Sequence, residues 1–368
     1  MTYREPGETS DCVSRLHLPV LCLLWCGLFF LLAACASSTE SPSASTPAPS
    51  TKAVTPTETE AAPTLSTALV TYKGHSGPVI GVAWSPDGKW LASCGNDGTV
   101  QVWNAKSGGM RWNASIDRYT FAVAWSPNGK RIAAGGASGS IAILDAATGH
   151  LLVKYQGQLA FIEGLAWSPD SRYIASGSQD KTVKVWDVQT GKALVTYTGH
   201  TDAVERVAWS PDGVHIASAS YDGTVQIWEA KTGRNLLTYK GHAAPVWEVA
   251  WSPDGRRIVS GTGAAGTSGP VTSNNSVKVW DAATGQTLLT YNGHSGQVYA
   301  LAWSPDGTRI ASGGDDNSVR IWNATTGHTE LLYRGHSDII FKVAWSPDGK
   351  YIASASVDGT VQVWQPQA

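Results

Sequence analysis

The chain has 368 residues, enough for one large domain or two ordinary ones. Its formal net charge is −2 and it contains no block of Lys or Arg, so nucleic acid is not expected as a partner. With 39 Gly, 17 Trp and only 15% charged residues, the composition fits a turn-rich, all-β protein.

Four cysteines, Cys12, Cys22, Cys26 and Cys35, precede residue 36, leaving only Cys94 in the body of the chain. One thiol builds neither a disulfide framework nor a zinc site, so Cys94 is expected to be a small buried apolar residue. The first elements read as an address. Arg15 is followed by an apolar run from Leu16 to Leu32 and then by small residues, the layout of a signal peptide over 1–34. The segment Leu32-Ala33-Ala34-Cys35 resembles the lipobox of bacterial lipoproteins. That resemblance implies cleavage before Cys35 and a diacylglycerol on its thiol, which would anchor the chain to a cell membrane on its extracytoplasmic face. The acidic Glu5, Glu8 and Asp11 outweigh Arg4 and Arg15, a departure from the usual basic leader. Residues 35–67 are rich in Ser, Thr, Pro, Ala and Glu and almost free of large apolar side chains, so they are expected to form a disordered tether.

From residue 68 onward one unit recurs. Ala-Trp-Ser-Pro appears with its Trp at 84, 125, 167, 209, 251, 303 and 345, at spacings of 41, 42, 42, 42, 52 and 42. A second Trp closes a β-branched run at 103, 186, 228, 280, 322 and 364, with Leu144 in the second copy. Gly-His precedes five copies, at His75, His200, His242, His294 and His336. Each unit reads as four short strands punctuated by Pro-Asp-Gly, Asp-Gly and Thr-Gly turns, and no segment has a helical apolar period. The seventh copy lacks its fourth strand. Ala68-Leu69-Val70-Thr71-Tyr72, identical to Ala193–Tyr197, precedes the first copy and is expected to complete the last blade.

These units resemble the WD-repeat family over residues 68–368, which implies a seven-bladed β-propeller. The literal Trp-Asp pair stands at Trp186-Asp187 and Trp280-Asp281. Pro-Asp-Gly turns are also similar to those of Tol-type propellers, but Gly-His and the third-strand Trp favour WD repeats. The resemblance implies a hydrogen-bonded tetrad per blade: His75, Ser93, Asp97, Trp103; His200, Ser218, Asp222, Trp228; His294, Ser312, Asp316, Trp322; and His336, Ser354, Asp358, Trp364. The second copy has Ile116, Ala134, Ser138 and Leu144 instead, the third has Gln158 for His, and the fifth keeps His242, Ser260 and Trp280 with Asn274 for Asp. The second blade is therefore expected to be the least stable.

His/Asp pairs repeated in four blades are structural, because a catalytic pair is needed once. No phosphate loop, paired metal motif or nucleophile elbow occurs, so neither catalysis nor a cofactor is expected. Positions that vary between copies are free to bind. The resemblance places on the top face, around the channel, Ile80, Phe121, Glu163, Glu205, Trp247, Tyr299 and Phe341, with Asn96, Gln179, Tyr221, Asp315 and Val357 nearby. From these, Phe121, Glu163, Glu205, Tyr221, Trp247, Tyr299, Asp315 and Phe341 are the expected partner-binding set. About ten extra residues between Gly261 and Ser273 are expected on the same face. The expected function is a non-catalytic protein-interaction scaffold outside the cytoplasm, meeting the membrane only through its lipid anchor. A glycan- or small-ligand-binding propeller is the alternative, since acidic groups flank the aromatics.

Overall fold

The computed structural model describes residues 62–263 and 275–366. The expected signal peptide, Cys35, most of the tether and the insertion beyond Gly263 lie outside them. The described residues are all β. Seven sheets, five of them built from four antiparallel strands consecutive in sequence, stand around a central channel as the blades of a propeller.

The turns explain the regularity. In the first blade Ser85 Oγ donates to Asp87 Oδ1 (2.6 Å), while Asp87 Oδ1 accepts from Lys89 N and Ser85 Oγ accepts from Trp90 N. Gly88 closes the turn at a φ of 69°, a conformation that side chains resist. The same bonds recur at Ser168, Ser210, Ser252, Ser304 and Ser346. Ser171 stands at the glycine position of the third blade with a φ of 61°.

A single four-stranded sheet has two apolar faces and covers neither. Here each face packs on the next blade, so the core is seven inter-blade clusters. The closing cluster joins Tyr72, Val79 and Trp103 to Ala353, Val361 and Val363. Val70–Tyr72 pairs antiparallel with Val361–Trp364 and supplies the fourth strand of the seventh blade. Cys94 is a free, fully buried thiol within the junction of the first two blades.

One boundary is corrected. The sequence reading extends the tether to residue 67, whereas the chain joins the propeller earlier. Thr64–Leu65 pairs parallel with Thr329–Tyr333 and makes the sixth blade five-stranded. Leu332 N donates to Pro63 O and Arg334 N to Leu65 O, both at 2.9 Å. Backbone groups make this pairing, so a Ser/Thr/Pro-rich composition does not prevent it; only Leu65 packs on the core.

Candidate functional site

Two layers of polar residues organise the propeller. The first is the tetrad. His75 Nδ1 donates to Asp97 Oδ2 (2.9 Å), His75 Nε2 accepts from Ser93 Oγ (2.8 Å), and Ser93 Oγ accepts from Trp103 Nε1 (3.1 Å). His200, Ser218, Asp222 and Trp228 make the same set, as do His294, Ser312, Asp316, Trp322 and His336, Ser354, Asp358, Trp364. Burial opposes ionisation of Asp358, but the His336 hydrogen bond and charge and the Thr360 bonds outweigh it, holding the carboxyl down to about 2. In the third blade Gln158 Oε1 accepts from Ser176 Oγ (2.6 Å) and Trp186 donates to the same hydroxyl (2.8 Å). In the second, Ala134 and Leu144 are buried with no polar group to satisfy. In the fifth, His242 Nε2 meets Ser260 Oγ (2.7 Å), while Nδ1 has no partner among the described residues; Asn274 lies outside them.

A further contact was not legible as a motif. Tyr197, in the third blade, stacks on Trp228 of the fourth at 4.6 Å and 3°. Tyr72, Tyr239, Tyr291 and Tyr333 stack likewise on the tetrad Trp of the following blade. This explains the Gly of Gly-His: a Cβ at Gly199 would lie 2.3 Å from Tyr197 Oη. The recurrent Thr-Tyr two residues earlier is the signal that reveals it.

The second layer lines the channel mouth. Every innermost strand carries a β-bulge between its first and third residues: Val79/Gly81, Thr120/Ala122, Ile162/Gly164, Val204/Arg206, Val246/Glu248, Val298/Ala300 and Ile340/Lys342. The extra residue in each is Ile80, Phe121, Glu163, Glu205, Trp247, Tyr299 or Phe341. A bulge frees a residue from pairing and re-aims its side chain. In blade order the ring is apolar, then acidic, then aromatic.

The aromatic arc is continuous. Tyr221 meets Trp247 at 4.9 Å, Trp247 meets Tyr299 at 5.1 Å, and Tyr299 meets Phe341 at 5.2 Å. Phe121 packs instead on Phe161 (5.5 Å). Within the expected partner-binding set, Phe121, Glu205 and Tyr299 are only 8%, 4% and 4% exposed, because the re-aimed side chains crowd against one another at the channel mouth. Trp247, Phe341, Tyr221, Glu163 and Asp315 retain partial exposure. Burial pushes the Asp315 carboxyl and the Tyr299 hydroxyl up.

One residue deeper, small side chains at Gly81, Ala122, Gly164 and Ala300 leave room for Arg206, Glu248 and Lys342. Glu248 Oε2 takes Lys342 Nζ at 2.5 Å and Arg206 Nε at 3.5 Å. Arg206 Nη1 also donates to the backbone carbonyls of Glu163 and Glu205. Burial pulls the Lys342 ammonium down and Glu248 pulls it back up. Among the described residues no group of three or more His, Cys, Asp or Glu is arranged to hold a metal.

Residues 79–238 match the family described as the second β-propeller of echinoderm microtubule-associated protein, and 233–281, 285–323 and 327–365 match the WD domain, G-beta repeat. Curated proteins match over short stretches. Ribosome biogenesis protein ERB1 of Ajellomyces capsulatus is 44% identical over 54 residues, 15% of this chain and 7% of that protein. Protein HIRA of Homo sapiens is 61% identical over 33 residues, 9% of this chain and 3% of that protein.

Proposed function

The chain is a WD-repeat β-propeller, and on that premise we propose that it is a non-catalytic platform whose top face holds an extended segment of a protein partner. The observation that carries this reading is the aromatic arc Tyr221–Trp247–Tyr299–Phe341 at the channel mouth. Three of its rings occupy bulge positions, where the ladder imposes no side-chain identity. Interface hot spots are enriched in Trp and Tyr and gather in sheltered, partly apolar surroundings. Scaffold side chains such as the tetrads repeat from blade to blade, whereas this arc occurs once. WD-repeat propellers in general mediate protein–protein contacts, which the reading follows. The platform is displayed outside the cytoplasm, held at the membrane through lipid on Cys35 after removal of residues 1–34, as the lipobox-like Leu32–Cys35 suggests.

The test is capture from the native cell envelope by the full chain, beside a folded Trp247→Ala/Phe341→Ala variant. A protein held by the wild type and lost by the variant, a loss of at least ~2 kcal/mol for hot spots, supports the reading. Equal capture by both overturns the assignment of the face. Binding on a glycan array with no protein captured replaces the partner class. Incorporation of a fatty-acid analogue that Cys35→Ser abolishes tests the anchor.

A further inference from the structure

Beside the aromatic arc, the acidic arc is left uncompensated. Both basic groups of the channel, Arg206 and Lys342, are committed to Glu248. Arg206 further spends a guanidinium nitrogen on two backbone carbonyls. Glu163 has only Gln179 Nε2, at 2.9 Å, on its carboxylate. Glu205 is 4% exposed; among the described residues its hydrogen bond from Arg206 goes to the backbone carbonyl, and no hydrogen bond or ion pair reaches its carboxylate, which keeps only a little solvent contact. A buried carboxylate without a partner is costly, and a neighbouring carboxylate makes it more so.

We propose that Glu163 and Glu205 form a pocket for one organic cation, a primary ammonium or a guanidinium, at the mouth of the channel. Two carboxylates on adjacent blades, with nothing bonded to one of them, supply acceptors and charge for a single such group. The donor set is too small to enclose a metal ion. The pocket adjoins the aromatic arc in the ring of bulge residues, so a partner segment would place a Lys or Arg here and an apolar neighbour against Trp247 or Phe341. This assignment rests on the reading of the top face as the binding face, and it adds the chemistry of what enters.

The surroundings of the two carboxyls favour their neutral forms. Burial and then the charge of Glu163 push Glu205 well up, with Asp202 adding to the effect and Arg206 opposing it. Burial raises Glu163, while Arg206 and Gln179 lower it. An entering cation favours the charged forms instead, so binding is expected to weaken as the pH falls. One residue deeper along these strands, Glu248 and Lys342 face each other at 2.5 Å.

The experiment is calorimetric titration of the full chain with the blocked tripeptide Phe-Lys-Phe, its norleucine counterpart, and free 1,5-diaminopentane, in buffers of different ionisation enthalpy. The lysine peptide is expected to bind at least tenfold more tightly than the norleucine peptide, with proton release. That preference should vanish in Glu205→Gln and fall in Glu163→Gln. The norleucine comparison needs no variant, so it stands even where a substitution disturbs folding. Equal binding of the two peptides to the wild type with no binding of the diamine, or binding of neither amine, overturns the pocket. Binding of the diamine alone supports the pocket and assigns it to a free amine rather than a protein side chain. If tripeptide discrimination and diamine binding both fail while capture remains sensitive to Trp247→Ala/Phe341→Ala, this inference falls and the platform stands. The reverse outcome removes the protein platform and keeps the pocket.

Discussion

Tyr72 lies flat against Trp103, with ring centroids 4.4 Å apart and planes 5° from parallel. Tyr72 belongs to the outer strand of the seventh blade and Trp103 to the third strand of the first, so this stack spans the closure of the ring. The Tyr72 hydroxyl also donates to Gln101 Oε1 at 2.6 Å. Tyr72→Ala removes the stack, the hydrogen bond and a buried ring together. We expect a loss of about 3–5 kcal/mol in denaturant unfolding. Leu69→Ala, three residues away and largely exposed, is the control and should cost well under ~1 kcal/mol.

Ser218 is the hinge of its tetrad, accepting from Trp228 and donating to His200. In Ser218→Ala both partners are left in a closed interior without their bond. The expected cost is ~1–3 kcal/mol by chemical denaturation. The second blade avoids the same penalty by carrying Ala134 with Leu144, so restoring only one member there, Ala134→Ser, should not stabilise the protein.

His242 gives a pH signature. Burial, then the nearby Lys278 charge, holds its folded-state pKa down to about 3, against ~6.5 in an unfolded chain. The unfolded state takes up the proton first. The stability that depends on neutral His242 is thus complete above about pH 6.5 and is lost as the pH falls toward 3. The aspartates paired with His add their own loss lower, through about pH 2 for Asp358. His242→Gln copies the arrangement of Gln158 with Ser176. It should flatten the thermal-melting profile between about pH 6.5 and 4 and leave the lower limb unchanged.

Lys181 occupies the left-handed region at a φ of 71°, where four other blades place Gly98, Gly139, Gly223 and Gly359. Its ammonium donates to Thr201 O at 3.0 Å at the surface. Because the backbone strain outweighs an exposed bond, Lys181→Gly should raise stability by about 0.5–1 kcal/mol, read as an increase in melting temperature.

The blade pattern was legible because it rests on residue types with fixed conformational consequences. Pro-Asp-Gly dictates a turn wherever it stands, and the identity of Ala68–Tyr72 with Ala193–Tyr197 exposes the strand that crosses the closure. The tetrads follow from the resemblance to WD repeats, whose motif maps onto residues within one blade. What escaped were features set by backbone geometry or by distant side chains. No residue type marks the bulges, since Ile80, Glu163 and Trp247 share nothing but position. The crowding that buries Phe121, Glu205 and Tyr299 emerges only when seven such positions converge. Lys342 reaches Glu248 across a gap of 94 residues because Ala300, between them in the ring, is small. Thr64–Leu65 announced nothing, because backbone groups form its pairing.

The strand at Val70–Tyr72 has a consequence for how the protein comes into being. It is made among the first residues of the propeller, yet its only antiparallel partner, Val361–Trp364, is made among the last. Until the last blade is made, the nascent chain carries an open sheet edge and two uncovered blade faces, the kind of surface that aggregates or recruits chaperones. A premature stop anywhere in the last blade therefore removes more than one sheet: it leaves Val70–Tyr72 with nothing to join, and every blade already built in a ring that has no way to shut.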